Sequence, residues 1–303
     1  MVTGEYSRKT EVTVLNLIDL TETFGFRATW NPELILLTAL IGLAYFSLTG
    51  PLRRTFPEAK PVTLTQKLSF SIGLLLFYFG MGSPLNVAGH FLFSAHMLQQ
   101  SILYLMMPLL LLAGTPSWLI RSLFYRKGLK RLLRVASHPI TAILLFNALF
   151  SFYHMPVMLD MAMNNLAMHN LIHLVLLVTA ILMWLPVIAP IPEIHRLSEL
   201  QKLAYIFANG VLITPACALI IFSETALYST YVNGPSMLCA PFFSAPIDKS
   251  MFAVPLVPLE DQRLGGIIMK LLQELTYGSV LAYVFAVWYR KEKNQPDDGL
   301  IPQ

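Results

Sequence analysis

The chain has 303 residues, 55% of them hydrophobic and only 13% charged, with a mean hydropathy of +0.61 and a formal net charge of +4. Soluble domains carry about a quarter charged residues, so an ordinary soluble globular protein is excluded and the surplus apolar surface has to face lipid. The two cysteines, Cys217 and Cys239, form no Cys-x-x-Cys pair, which argues against a disulfide framework or a thiolate metal site.

A helix needs about 20 mostly apolar residues to cross about 30 Å of hydrocarbon. In chain order, seven stretches meet this: Leu34 to Gly50, Ser69 to Leu85, Phe91 to Leu112, Ile140 to Met158, Met168 to Ile188, Tyr205 to Phe222 and Gly266 to Tyr289. Gly80, Gly82, Ser83 and Pro84 interrupt the second, which is expected to end early in a bent turn. The stretch before Leu34 is mostly polar and lacks the form of a cleaved signal. The predicted fold is therefore all-α: one polytopic transmembrane bundle of about seven helices over residues 1–290, followed by a charged, disordered tail at 291–303.

Orientation follows from the loops, since Lys and Arg collect on the cytoplasmic side. The first loop holds Arg53, Arg54, Lys60 and Lys67, and the third holds Arg121, Arg126, Lys127, Lys130, Arg131 and Arg134. The second and fourth loops hold none, and the C-terminal end carries Arg290, Lys291 and Lys293. This bias predicts the N-terminus outside and the C-terminus in the cytoplasm. The basic third loop reads as inner-leaflet lipid contact, not as a nucleic-acid surface. The connection at 223–264, with Pro235, Pro241, Pro246, Pro255 and Pro258, lies outside in this topology. Its length suits either a cap over the bundle or a mobile segment.

The same topology brings four of the seven histidines to one depth. His96 lies six residues beyond His90, about 9 Å deeper into the third span. His154 is near the outer end of the fourth span. His169 and His173 are four apart, on one face of the fifth. Polar groups at such depth normally turn into the bundle. Methionines accompany them, in the strings Ser94-Ala95-His96-Met97 and Phe152-Tyr153-His154-Met155-Pro156. Imidazole binds several transition metals and thioether favours Cu(I). The candidate site is thus Cu(I) on His96, His154 and His173, with His169 as a substitute and Met97 or Met155 as a further contact. Facing histidines on separate spans also suit haem. The plain alternatives are hydrogen-bonded packing for the histidines and ordinary core filling for the methionines. His90, His138 and His195 lie near the interfaces, where a polar ring is inexpensive.

In the last span, Lys270 and Glu274 are spaced i, i+4 and form either a buried structural pair or a gating pair near the histidines. Asp261, with Gly265 and Gly266, marks a helix start with close backbone packing. Asn209 is placed to bond across helices, and Pro215 to kink the sixth span. No hydrolase motif, phosphate loop or His-Glu-x-x-His signature occurs, so an enzyme is not the leading expectation.

Several strings together carry a family resemblance: Phe24-Gly25-Phe26-Arg27-Ala28, Ser94-Ala95-His96-Met97, Leu149-Phe150-Ser151-Phe152-Tyr153-His154, Thr214-Pro215-Ala216-Cys217-Ala218 and Asp261-Gln262-Arg263-Leu264-Gly265-Gly266. The chain resembles the CtaG family of Bacillus and relatives, the polytopic assembly factors of the caa3-type cytochrome c oxidase. The resemblance implies a multi-pass plasma-membrane protein that helps to build a haem–copper oxidase. The implied role is supply of copper to the oxidase's buried copper–haem centre. The outer position of the histidines suits copper that arrives from an extracytoplasmic donor and passes laterally to a client oxidase subunit. The family's His-Met-x-Gln-His pattern maps onto His96, Met97, Gln99 and Gln100, with Gln100 replacing the last histidine. The paired histidines of its fifth span map onto His169 and His173, without the Glu neighbour. A haem-delivering protein and a metal-free scaffold for an oxidase subunit are the alternatives.

Overall fold

The computed structural model describes residues 17–56, 59–124, 127–188, 197–247 and 256–294. In chain order the helices are α1 (Leu17–Trp30), α2 (Pro32–Thr49), α3 (Leu64–Gly82), α4 (Pro84–Phe91), α5 (Phe93–Ser101) and α6 (Met107–Gly114). A π-helical turn, Ile102–Met106, joins α5 to α6. Then follow α7 (Ser117–Phe124), α8 (Lys127–Ala136), α9 (Pro139–Tyr153), α10 (Pro156–Met163), α11 (Leu166–Ile188), α12 (Glu199–Phe222) and α13 (Ser229–Asn233). A hairpin of β1 (Met237–Ala240) and β2 (Phe243–Pro246) precedes the long α14 (Pro258–Lys293). Among the described residues, six helical runs are long and apolar enough to cross a membrane, and the bent pair α9–α10 supplies a seventh. The predicted polytopic helical fold is the one observed.

Several elements differ from the sequence reading. The polar stretch before Leu34 contains α1, broken at Gly25, whose φ of 79° only glycine adopts easily. The second loop is the helix α4, started by Pro84 after the Ser83 cap. The fourth span bends by 75° between α9 and α10. Pro156 explains the bend: it has no N–H to continue α9 and holds Met155 extended, at φ −65° and ψ 132°. The last helix begins at Pro258, earlier than its apolar run. His195, Arg126 and the tail from 295 onward lie outside the described residues.

The connection at 223–264 is partly built into the bundle. Met237 pairs with Pro246 and Ala240 with Phe243 in an antiparallel register, and the turn is Pro241-Phe242. Leu238 is fully buried against Val87 and Phe91 of α4 and Leu20 of α1. Asn31 Nδ2 donates to the Pro241 carbonyl and Asn86 Nδ2 to the Cys239 carbonyl. The cap is therefore continuous with the core. Burial pushes the Cys239 thiol up to about 11, so it stays protonated and inert.

The main core runs through α5, α9, α11, α12 and α14 and includes Phe93, Phe146, Met183, Trp184 and Tyr277. With lipid outside, helix association depends on close fit and on buried hydrogen bonds more than on water exclusion. Both occur. A Cβ on Gly114 would lie 2.4 Å from the Phe70 nitrogen, so α3 and α6 touch backbone to backbone. Asn147 Nδ2 donates to Asn209 Oδ1 at 2.6 Å, and Asn209 Nδ2 to the Tyr277 hydroxyl at 2.9 Å. Asn209 thus ties three helices together, as its position inside an apolar span suggests.

Candidate functional site: a buried histidine cluster

His90, His96, His154, His169 and His173 are all buried, each 6% exposed or less. They come from α4, α5, the α9–α10 bend and α11. His169 and His173 have ring centroids 4.3 Å apart, His90 and His169 5.5 Å, and His96 and His173 6.4 Å. His154 packs on Phe150 and Tyr153, with ring centroids at 4.2 and 5.0 Å. Four of these five were singled out from sequence. His90, placed at an interface, is as buried as the rest.

Their hydrogen bonds divide them by chemistry. His90 Nδ1 is 2.8 Å from the Asn86 carbonyl and therefore carries the proton. Its Nε2 accepts from the Cys239 backbone N–H at 3.0 Å. Both nitrogens are occupied, and His90 serves as a rivet between α4 and the hairpin. His96 Nε2 lies 3.3 Å from Gln100 Nε2 and 3.2 Å from the Tyr153 hydroxyl. The glutamine at position 100 thus sits on the same helix face as His96 and engages it.

The other three are incompletely used. His154 Nδ1 donates to the Phe150 carbonyl at 2.8 Å, which leaves Nε2 with its lone pair and no partner. His173 Nδ1 meets the Tyr104 hydroxyl at 2.8 Å, and its Nε2 has no partner. His169 Nδ1 is also unpartnered. Buried polar atoms are almost always satisfied, so three orphaned imidazole nitrogens in one region are an unusual concentration.

The local fold explains the Tyr104 contact. Pro108 has no N–H for the Tyr104 carbonyl, and the chain responds with a π turn in which the Met107 N–H bonds to the Ile102 carbonyl. Tyr104, in the middle of that turn, is buried against His173.

The two candidate methionines differ in their surroundings. Met97 is buried, but its Cγ packs against Gly265 of α14, where an added Cβ would lie 3.0 Å away. Met155 is 52% exposed and stands outside the cluster. It points away because Pro156 turns the chain at this residue. Among the described residues, no three His, Cys, Asp or Glu side chains converge as a ready-made metal site. The rings of His96, His173 and Tyr153 form a triangle with centroids 5.9–6.4 Å apart, and His154 packs against the Tyr153 side of it. The nitrogens left without a partner are His154 Nε2, His169 Nδ1 and His173 Nε2. No carboxylate bonds to any of the five rings among the described residues, and hard cations would need one.

Lys270 and Glu274 form the expected i, i+4 pair at 2.6 Å, but Glu274 is 62% exposed. Lys270 Nζ also donates to Thr214 Oγ1 at 2.9 Å. The pair is a clasp on the outward surface of α12 and α14, not a buried pair beside the histidines. Asp261 has a different role from the one its position suggests. Both its oxygens face α5, accepting from the N–H groups of Phe93 at 2.6 Å and Ser94 at 3.2 Å. It caps a neighbouring helix and leaves its own start to Pro258. Gly265 and Gly266 do permit close packing: Cβ atoms there would lie 2.6 Å from Phe93 and 2.7 Å from Ile221.

The sequence reading missed the residues that roof and frame the cluster. Tyr228 donates to the His154 carbonyl at 2.9 Å and Tyr231 to the Gly89 carbonyl at 2.9 Å. Burial raises the Tyr231 hydroxyl well above its ordinary value, so it remains a neutral donor. Asp160 holds α13 in place, accepting from Ser229 N, Ser229 Oγ and Thr230 N. Tyrosines within or beside apolar stretches were the available signal. A cavity of about 290 Å³ opens beside His173 between α2, α3 and α11, with Leu37, Phe77, Tyr104, Leu174 and the hairpin tip Phe242 in its wall. Leu37 and Leu174 are partly exposed, so its mouth faces the surroundings of the bundle.

Six or seven candidate spans among the described residues and a capped histidine–tyrosine cluster define a multi-pass helical membrane protein with a concentrated polar site in its core. Within that class, the chain belongs to the family described as cytochrome c oxidase caa3 assembly factor (Caa3_CtaG), which it matches over residues 43–291, most of its length. No curated protein and no solved structure matches it.

Proposed function

We propose that this assembly factor handles Cu(I) during construction of its oxidase, holding the ion on imidazoles of the buried cluster before it reaches the copper–haem centre. The observation that carries this reading is the set of unpartnered nitrogens, His154 Nε2, His169 Nδ1 and His173 Nε2. Nitrogens that are desolvated but not bonded are available to a ligand at little cost. Copper supplies the redox-active metal of the client's buried centre; this chain's part is to offer neutral imidazoles, orient them and keep water away. Phe150 fixes the His154 tautomer that presents Nε2, and Tyr104 fixes the ring of His173. Such second-shell bonds commonly set ligand orientation.

Packing around the rings favours an ion over a flat macrocycle, because Tyr153 lies against both His96 and His173 and Tyr231 lies 6.4 Å from His96. The loop charges support placing this cluster toward the outside of the bacterial plasma membrane, where an extracytoplasmic donor would deliver copper. The cavity beside His173 would give a client subunit lateral access.

The test is competition titration of purified protein with a chromophoric Cu(I) chelator, with His154→Ala, His169→Ala and His173→Ala checked for folding. The expected result is one Cu(I) per chain, weakened at least about tenfold by loss of a direct ligand. Unchanged affinity in all three folded variants would reject the site. A haem absorption band without copper would replace it with haem delivery, and failure to load Cu(I) would favour a metal-free scaffold.

A further inference from the structure

At the opposite end of the bundle from the histidines, two cavities of about 640 and 510 Å³ share a wall at Pro61. Lys60, Gln66, Trp118 and Arg121 line the first, and Arg53, Arg54 and Lys67 line the second. Their described walls thus present five cationic side chains and no acid; Glu58, the loop's one acid, lies outside the described residues. The cradle is anchored. The ring of Phe56 packs on Trp118 at 5.1 Å, and Val62 joins the same apolar cluster with Tyr45 and Leu119. Trp118 is 9% exposed, and its indole Nε1 is buried without a hydrogen-bond partner. An indole N–H can only donate, so an acceptor is what this position lacks.

We propose that these joined cavities bind the phosphate headgroup of an anionic phospholipid. Arg53, Arg54, Lys60 and Lys67 supply the charge, and Trp118 Nε1 supplies a donor from the wall. Basic clusters beside spans suit such headgroups because several cations can share one phosphodiester through charge-assisted hydrogen bonds. A lipid fits better than free phosphate because an apolar track starts beside the cradle. Leu64, Leu68, Ile72 and Leu75 are all exposed along α3, one turn apart or nearly so, from its first residue onward. An acyl chain laid along this row would leave its headgroup at Lys67. The site is independent of any copper chemistry and of which way the chain faces in the membrane.

The experiment is native mass spectrometry of the full chain in detergent, loaded in separate arms with phosphatidylglycerol, cardiolipin, phosphatidylcholine or inorganic phosphate. The variants are Arg53→Gln with Lys67→Gln, Trp118→Phe, and Arg290→Gln with Lys291→Gln as a charge-matched control away from the cradle. Wild type should retain an anionic lipid at least about tenfold better than phosphatidylcholine. The cradle double variant should lose about tenfold of that retention and Trp118→Phe about threefold, while the control keeps it. Thermal unfolding confirms that each variant is folded; if Trp118→Phe is not, the double variant decides alone. Equal retention of neutral lipid, full retention by the cradle double variant, or binding of inorganic phosphate without lipid would overturn the proposal.

Discussion

The hydroxyl of Tyr104 lies 2.8 Å from Nδ1 of His173, across 69 residues of chain. This bond holds a ring whose other nitrogen is free, so its loss should be felt by whatever that nitrogen binds. Tyr104→Phe is expected to weaken Cu(I) binding about tenfold, the lower end of the usual outer-shell effect. The fold should lose only about 1 kcal/mol. Chelator competition and thermal unfolding on the same preparation separate the two, and an unchanged affinity would show that Tyr104 does not position His173.

Gly265 and Gly278 stand on one helix in opposite circumstances. A Cβ on Gly265 would lie 2.6 Å from Phe93, whereas one on Gly278 meets nothing within 4 Å. Gly265→Ala is therefore expected to destabilise the bundle by about 1–3 kcal/mol through forced separation of α14 from α5. Gly278→Ala should leave the melting temperature unchanged or raise it, since alanine is the better helix former. Equal melting shifts in the two variants would contradict the close approach at Gly265.

The surface clasp of Lys270 and Glu274 gives a test of charge in a lipid-facing position. Removing one partner leaves an ion without a counter-charge, which a membrane interior tolerates poorly. Lys270→Met and Glu274→Gln should each lower the yield of folded protein more than the double variant does. Thr214 would partly shelter a lone Lys270, so Lys270→Met should be the more harmful of the two. A double variant as damaged as the worse single one would remove the clasp from the account.

Reporter fusions test the predicted orientation. Arg131 lies in α8 and Ser244 in β2, and the charge bias places the first in the cytoplasm and the second outside. A cytoplasmic reporter should be active only after Arg131 and an exported one only after Ser244. Activity of one reporter at both positions would reverse or break the topology.

Much of the fold was legible because lipid imposes a coarse demand: a run of apolar residues must become a helix. That demand located the spans, and it made His96, His154, His169 and His173 conspicuous as polar groups where few belong. It says little about segments that rest on the bundle. The hairpin around Pro241 and Phe242 is stabilised by backbone pairing and by contacts from Asn31 and Asn86, which lie 210 and 153 residues away from their partners. No local pattern encodes such bonds. Met155 shows the same limit on a smaller scale. Its nearness to His154 in sequence suggested a shared site, yet Pro156 holds Met155 extended, and its side chain is left exposed. Gln100 was visible only as a departure from the histidine expected there, and the structure gives it a positive role on His96.

The carboxylate of Asp261 closes the start of α5 from a distance of 168 residues. Ribosomes add about 5–20 residues per second, so the third span waits on the order of 10–30 seconds after emerging before its terminal amides meet their acceptor. During that interval the amides of Phe93 and Ser94 must rely on water or on the translocation machinery, and the histidine-bearing helix cannot be seated. A helix made late thus completes one made early. A chain truncated before residue 258 would contain every histidine of the cluster and still be unable to finish it.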